Sequence, residues 1–324
     1  MIKKILLIFF STIFALLLIE GGLRINGINP WKYQTIKEQP TINKNDDIIG
    51  WVPKPGNYNF EPYSPNGKNF KFSILKDGTR YSGNIENKKK EIILLGGSVT
   101  QGWAVDDAET FAWYLQKKLE DYSIKNYGVS GYGTFQSYLT LERILKKTNK
   151  VKYIIYAYIQ PHEFRNSGNE NWLKILTKFS PKKEVFFPFA TLSKEGEIIR
   201  NKPISYIKLP LREKLSLVNK IEKRIMKMKM YSKNKDEILI TKKIIEEMIN
   251  LAKKNNSKFI LVNISDDKQD LKPYENFIRI NDVRTINCAK KPNKSLTVEG
   301  EGHPNKVMHE FYGKCIYKGL KLRF

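Results

Sequence analysis

Two cysteines, Cys288 and Cys315, and three histidines, His162, His303 and His309, are all that this 324-residue chain has of thiols and imidazoles. No C-x-x-C pair exists, which excludes a cysteine zinc site and a thioredoxin-type redox motif. No cluster has metal-ligand spacing, so neither a metal nor a cofactor is expected. A phosphate-binding loop is the weakest reading of GGSVTQG (96–102), which lacks the Lys and the Ser/Thr of a P-loop and the G-x-G-x-x-G spacing. Internal repeats are absent, and no segment beyond the N-terminus is low in complexity. Acidic residues are few, 33 against 57 Lys and Arg, giving a net charge of +24. Such a balance suits an acidic polymer or an anionic lipid surface. The densest basic runs are 88–90, 224–235 and 289–294, and none is interleaved with aromatics in the manner of a single-strand stacking platform. They read as solvated faces, and no nucleic-acid partner is expected.

What is present begins with one apolar run. MIKK precedes the uncharged ILLIFFSTIFALLLI (5–19), followed by EGGLRING. No small-x-small cleavage site follows and Leu23 prolongs the apolar segment, so residues 1–24 read as a retained membrane anchor. Lys3 and Lys4 upstream keep the N-terminus in the cytoplasm by the positive-inside rule and place everything after Arg24 outside. Outside the cytoplasm Cys288 and Cys315 could form one disulfide; two buried small hydrophobes is the equal alternative.

Residues 25–90 are rich in Pro, Gly, Asn and Lys, with short β-like pieces such as NFKFSIL (69–75) ending in the turn signal KDGTR. They read as a stalk and a small strand-rich preface. From 91 the pattern alternates. EIILL, SIKNYG (123–128), VKYIIYAYI (151–159) and KFILVNI (258–264) read as strands. Residues 108–121, 134–147 and 236–255 carry helical spacing, and Pro304 suits the first position of a last helix over 304–319. A stretch from about 163 to 235 interrupts the rhythm as an insertion. The alternation predicts an α/β domain over 91–324 with a mostly parallel sheet, helices on both faces, and ligands bound at the carboxyl ends of the strands.

Gly96, Gly97 and Ser98 fall at such an end. Glycines before a serine at a strand-to-helix turn leave room for a substrate carbonyl beside its hydroxyl, although the serine could equally cap the helix. A nucleophilic serine needs a base. His303 lies in VEGEGHPNK, a Gly-rich turn from which a ring reaches a neighbouring loop, and Glu301 or Glu299 could orient it. His309 lies inside the last helix and reads as structural. NYGVSGYGT (126–134) offers backbone N–H groups for an oxyanion at the same edge. Each segment has a purely structural reading as a tight turn, and their complementarity is what favours chemistry.

GGSVTQGWAVDDAETF, NYGVSGYGTFQ and GHPN, in that order, resemble blocks I, II and V of the SGNH or GDSL-type hydrolase superfamily, most closely its membrane-anchored bacterial members. The resemblance covers roughly 50–160 and 257–320. It implies a flavodoxin-like three-layer α/β/α sandwich and ester hydrolysis or acyl transfer through an acyl-serine. Ser98 would be the nucleophile, its own N–H and that of Gly131 would line the oxyanion hole, His303 would be the base and Glu301 its acidic partner. Gly97 stands where the family usually has Asp. The family's G-x-N-D block III is replaced by YAYIQPHEFRN (156–166), in which Gln160 is the expected donor and His162 a rival. The implied substrates are O-acyl esters, with acetyl favoured, of cell-envelope or secreted glycans. The alternative is a catalytically silent binding module of the cell envelope, favoured by the missing block III Asn.

Overall fold

The computed structural model describes residues 1–32, 41–65, 67–84, 88–179, 184–231 and 236–321. The basic run 224–235 and the expected preface 25–90 therefore lie partly outside the described residues. Two compact units are formed, one from residues within 1–36, 169–185 and 205–235, the other from residues within 37–168, 186–204 and 236–324. The stretch read as an insertion thus divides between them.

Among its described residues the smaller unit contains three helices, α1 (Ile2–Ile25), α6 (Glu170–Phe179) and α7 (Ser216–Tyr231). Twenty-four residues at about 1.5 Å each give α1 a length of ~36 Å, enough by length and composition to cross a membrane. Its Glu20 carboxylate accepts the N–H groups of Ser216 (2.8 Å) and Leu217 (2.9 Å), satisfying donors that the first turn of α7 otherwise leaves orphaned.

In the larger unit two antiparallel hairpins come first: β1 (Asn43–Asp46) with β2 (Gly50–Pro53), and β3 (Gly56–Phe60) with β4 (Phe70–Ile74). Then follow β5 (Lys90–Gly96), the one-turn α2 (Ser98–Gln101), α3 (Phe111–Lys118), β6 (Tyr122–Asn126), α4 (Thr134–Leu145), β7 (Val151–Tyr158) and the short α5 (His162–Asn166). A hairpin of β8 (Phe187–Leu192) and β9 (Ile198–Ile204) precedes α8 (Glu237–Lys254), β10 (Lys258–Asn263), α9 (Glu275–Ile280), β11 (Arg284–Asn287) and α10 (Lys306–Lys321).

Five of these strands make one parallel sheet in the order β11-β10-β7-β5-β6. The apolar runs within β5, β7 and β10 follow from burial on both faces. On one face Ile92, Leu94, Ile155, Ile260 and Val262 pack with Phe111 and Leu115 of α3 and Met308, Tyr312 and Ile316 of α10. Residues of alternate parity, such as Ile93, Leu95 and Ile154, are equally buried on the other face, where α4 and α8 lie against each other. The α/β/α sandwich expected from the alternation is the observed architecture.

Two boundaries differ from the expectation. The helix read over 108–121 is split: a 3-10 turn at Asp107–Glu109 is capped by Asp106, and α3 starts after Thr110, whose hydroxyl accepts from the Trp113 N–H. Pro304 does not open the last helix, because it bridges Thr297 in extended conformation. Asn305 caps α10 instead, its Oδ1 accepting from Val307 (3.0 Å) and Met308 (3.3 Å). Cys288, just after β11, and Cys315 in α10 are joined by a disulfide.

Candidate active site

β5 is followed in sequence by β6 on one side, and the chain then crosses back to β7 on the other. A cleft opens at the carboxyl ends where connections diverge in this way, and Gly97 and Ser98 lie at that point. Ser98 is the first residue of α2 and its side chain is largely buried. Its Oγ lies 2.8 Å from the Nε2 of His303. The other ring nitrogen of His303, Nδ1, lies 2.7 and 2.9 Å from the two carboxylate oxygens of Glu301, and Glu301 Oε2 also accepts the His303 backbone N–H at 2.8 Å. A carboxylate acceptor at Nδ1 fixes the proton there, so Nε2 presents a lone pair to the serine hydroxyl.

The ring is supplied by a turn in which Gly300 and Gly302 take positive φ (+77° and +95°), which folds Glu301 back beneath His303. Between the two expected acidic partners the geometry selects Glu301; Glu299 is exposed. Burial would raise the Glu301 carboxyl, but hydrogen bonds from His303 and from the Trp103 side chain hold it below the ordinary glutamate value. Trp103 is itself held edge-on against Phe60 and Phe72 of the β3–β4 hairpin. Residues of the expected preface therefore support Glu301 through Trp103.

Gly131 takes φ +86° in the loop after β6. That loop is tied to the serine turn: Gln101 of α2 accepts from the Ser130 N–H (2.8 Å) and hydroxyl (2.7 Å), and the Val129 N–H donates to the Gly96 carbonyl (3.1 Å). Among the described residues the N–H groups of Ser98 and Gly131 make no hydrogen bond, leaving both available to an oxyanion. Trp51 of β2 clamps the loop from outside, donating to the Ser130 carbonyl (3.1 Å) while the Tyr132 hydroxyl donates to the Trp51 carbonyl.

Gln160 is not brought to the serine. Its side-chain amide donates to Glu163 (3.4 Å), whose other oxygen takes the hydroxyls of Tyr158 (2.6 Å) and Tyr274 (2.7 Å). His162 is fully buried at the start of α5, with Nδ1 2.7 Å from the Tyr156 hydroxyl. His309 is packed against Phe111 and accepts its N–H through Nδ1 (3.4 Å); burial lowers it to about 3, in keeping with a structural role.

Sequence reading missed Arg80. Its buried guanidinium donates to Asp107 (3.1 Å), to the Val105 carbonyl (2.7 Å) and to the carbonyls of Gln101 and Gly102, so it fixes the end of the serine helix. KDGTR marked only a turn, and nothing in its pattern announces a buried cation.

A parallel sheet with a serine at the end of its first strand, and Glu-x-His ahead of its last helix, is the arrangement that the SGNH/GDSL resemblance implied. Solved structures similar to this chain include a member of the lipolytic G-D-S-L family from Veillonella parvula, with 12% identity and TM-score 0.38, covering 72% of this chain and 98% of that one. A G-D-S-L lipolytic protein from Desulfitobacterium hafniense has 12% identity and TM-score 0.37, covering 70% and 99%. A salicylyl-acyltransferase from a tetracycline biosynthetic pathway has 13% identity and TM-score 0.30, covering 73% and 56%. No family model and no curated protein matches the chain. The reading of the site rests on its own geometry.

Proposed function

We propose that this protein is a serine-dependent ester hydrolase or O-acyltransferase that works through an acyl-serine intermediate. The observation that carries the reading is the alignment of Ser98 Oγ, His303 Nε2 and Glu301 through contacts of 2.8 and 2.7 Å. In the reaction Ser98 Oγ forms a bond to the ester carbonyl carbon while its proton passes to His303 Nε2. The carbonyl electron pair moves onto oxygen, which faces the N–H groups of Ser98 and Gly131. Collapse breaks the bond to the leaving alkoxide, which takes the proton from His303. Water or a second hydroxyl then attacks the acyl-serine by the same route in reverse, and the choice between them separates hydrolysis from transfer.

The substrates proposed are O-acyl, chiefly O-acetyl, esters of cell-envelope or secreted glycans. The net charge of +24 favours an acidic polymer. The apolar α1 favours attachment to a bacterial membrane as a single-pass anchor, with the N-terminus cytoplasmic and the site outside.

The test is intact-mass labelling of the detergent-solubilised full chain with a fluorophosphonate. One adduct is expected on the wild type, none on Ser98→Ala, and an adduct slower by at least about a hundredfold on His303→Ala. Folded wild-type protein that takes no adduct would remove the activated serine. Acetate release from acetylated glycans, with and without a hydroxyl acceptor, then divides esterase from transferase.

A further inference from the structure

The buried Nε2 of His162 has no hydrogen-bond partner among the described residues. It is aimed at the serine turn: a Cβ placed on Gly97 would lie 2.9 Å from it. An unsatisfied polar atom in a fully buried side chain is costly and is retained where something else needs it.

What that atom offers depends on where the imidazole proton sits, and the surrounding hydrogen bonds decide this. Asn166 Oδ1 accepts the Phe135 N–H at 2.9 Å, which fixes the orientation of its amide. Its NH2 group, a donor only, then spends both protons, on Thr134 Oγ1 (2.9 Å) and Thr241 Oγ1 (2.8 Å). Thr134 Oγ1 already receives from Asn166, so its own proton needs an acceptor. Its Oγ1 lies 2.8 Å from the Tyr156 hydroxyl oxygen, and in such a hydroxyl pair either member can donate; because no other acceptor for the Thr134 proton is found among the described residues, the network sets the order from Thr134 to Tyr156. Tyr156 then has to pass its proton to His162 Nδ1, 2.7 Å away. With Nδ1 accepting, the proton of a neutral imidazole is on Nε2. The reverse order would strand the Thr134 proton.

Burial and the neighbouring Arg165 guanidinium push His162 well below its ordinary value, so the ring is neutral. Burial likewise keeps the Tyr156 phenol protonated.

We infer that His162 donates its Nε2–H to the oxyanion formed at Ser98, as a third donor beside the N–H groups of Ser98 and Gly131. The inference rests on the acyl-serine reading. His162 keeps its proton throughout: it accepts none from Ser98 and gives none to the leaving group, tasks that stay with His303. Gln160, whose amide is engaged with Glu163, takes no part. The chain Asn166–Thr134–Tyr156 acts as a positioning device that sets the tautomer, and Gly97 leaves the space through which the ring reaches the turn.

The full chain in detergent is the material for the test. Fluorophosphonate labelling and p-nitrophenyl acetate turnover are measured for the wild type, His162→Ala, His162→Asn and Tyr156→Phe, with Ser98→Ala as the floor. Loss of one oxyanion donor costs about 10²–10³ in rate, so His162→Ala is expected to fall by that factor in kcat with little change in KM. His162→Asn, which keeps a donor of similar reach, should recover part of the loss, which a filler of space alone would not do. Tyr156→Phe should also slow turnover, because Nδ1 loses its donor.

Independently of any variant's folding, 15N spectra of histidine-labelled wild type should show a pyrrole-type Nε2 and a pyridine-type Nδ1 at His162. A pyridine-type Nε2, or a folded His162→Ala that labels at the wild-type rate, would overturn the proposal. An unlabelled wild type would instead remove the acyl-serine reading itself, and the oxyanion with it.

Discussion

A Cβ on residue 97 would stand 2.9 Å from His162 Nε2 and 3.4 Å from Arg165 Nη1, so the space that a side chain before the serine would fill belongs to the imidazole. Gly97 has φ −91° and ψ −151°, which any residue adopts, so space and not backbone freedom demands glycine here. Gly97→Ala is expected to destabilise by about 1–3 kcal/mol through overpacking and to slow fluorophosphonate labelling by roughly tenfold or more, equivalent to 1.36 kcal/mol or more in the barrier. Thermal unfolding and labelling rates check this together. A Gly97→Ala protein as fast and as stable as wild type would show that the ring moves aside freely.

Glu301 gives a pH dependence with a definite sign. Its folded-state carboxyl is held below the ordinary value, so its contribution to stability is present above that value and fades as pH falls through the folded one. Glu301→Gln keeps the size and removes the charge. The expected result is a lower thermal midpoint than wild type near pH 7, with the gap closing as the solution is acidified below the ordinary glutamate range. Labelling at neutral pH should fall as well, since an amide can turn its NH2 toward Nδ1 and select the wrong tautomer. A gap that stays constant across the acid range would mean that the carboxylate charge contributes nothing.

The parts of this fold that were legible in sequence are those whose signal is local. β5, β7 and β10 contain the continuous apolar runs IILL, YIIYAY and FILV because both faces of the sheet are covered, and α8 shows its helical stripe over 18 residues. β11, the four residues RTIN at the sheet edge, carries no such pattern, and the β8–β9 hairpin was lost inside a stretch read as an insertion. At the site, Ser98, Gly131 and His303 stand out through glycine-rich turns. The supporting residues do not, because their partners are remote: Trp51 reaches the loop of Ser130, 79 positions on, and Arg80 acts through carbonyl oxygens that any residue would supply. His162 was ambiguous for a different reason: a histidine after Pro161 looks alike whether Nε2 is bonded or free, and only the packing around Gly97 separates the cases.

The Cys288–Cys315 bond encloses the turn that carries both Glu301 and His303, so it bears on the site as well as on stability. With the cysteines 27 positions apart, the chain-entropy relation gives about 3.5 kcal/mol of stabilisation through the unfolded state. Replacing both cysteines by alanine is expected to lower stability by an amount of that order. It should also slow labelling, because His303 then sits on a less constrained loop. Denaturant unfolding measures the first effect and the fluorophosphonate rate the second. Unchanged labelling in the double variant would mean that the hydrogen bonds of the turn hold His303 without the staple.

Asp46 and Arg143 fasten the first hairpin to α4 through paired contacts of 2.8 and 3.0 Å, and the same carboxylate accepts the N–H groups of Ile48 and Ile49. The Arg143 guanidinium, ahead of the opposing cost of burial, lowers Asp46 from 3.8 to about 2. A depressed value means that the stability is in place above 3.8 and is lost as pH falls toward 2. Solvent screens this partly exposed pair, which leaves a net contribution of about 1 kcal/mol. Asp46→Asn retains an acceptor for the turn but not the charge, so wild type should exceed it by that amount at neutral pH and match it near pH 2. The hairpin also carries Trp51, which clamps the loop of Gly131, so the variant should label more slowly at neutral pH. If stability falls and labelling does not, the hairpin serves the fold alone and the loop after β6 is held from within.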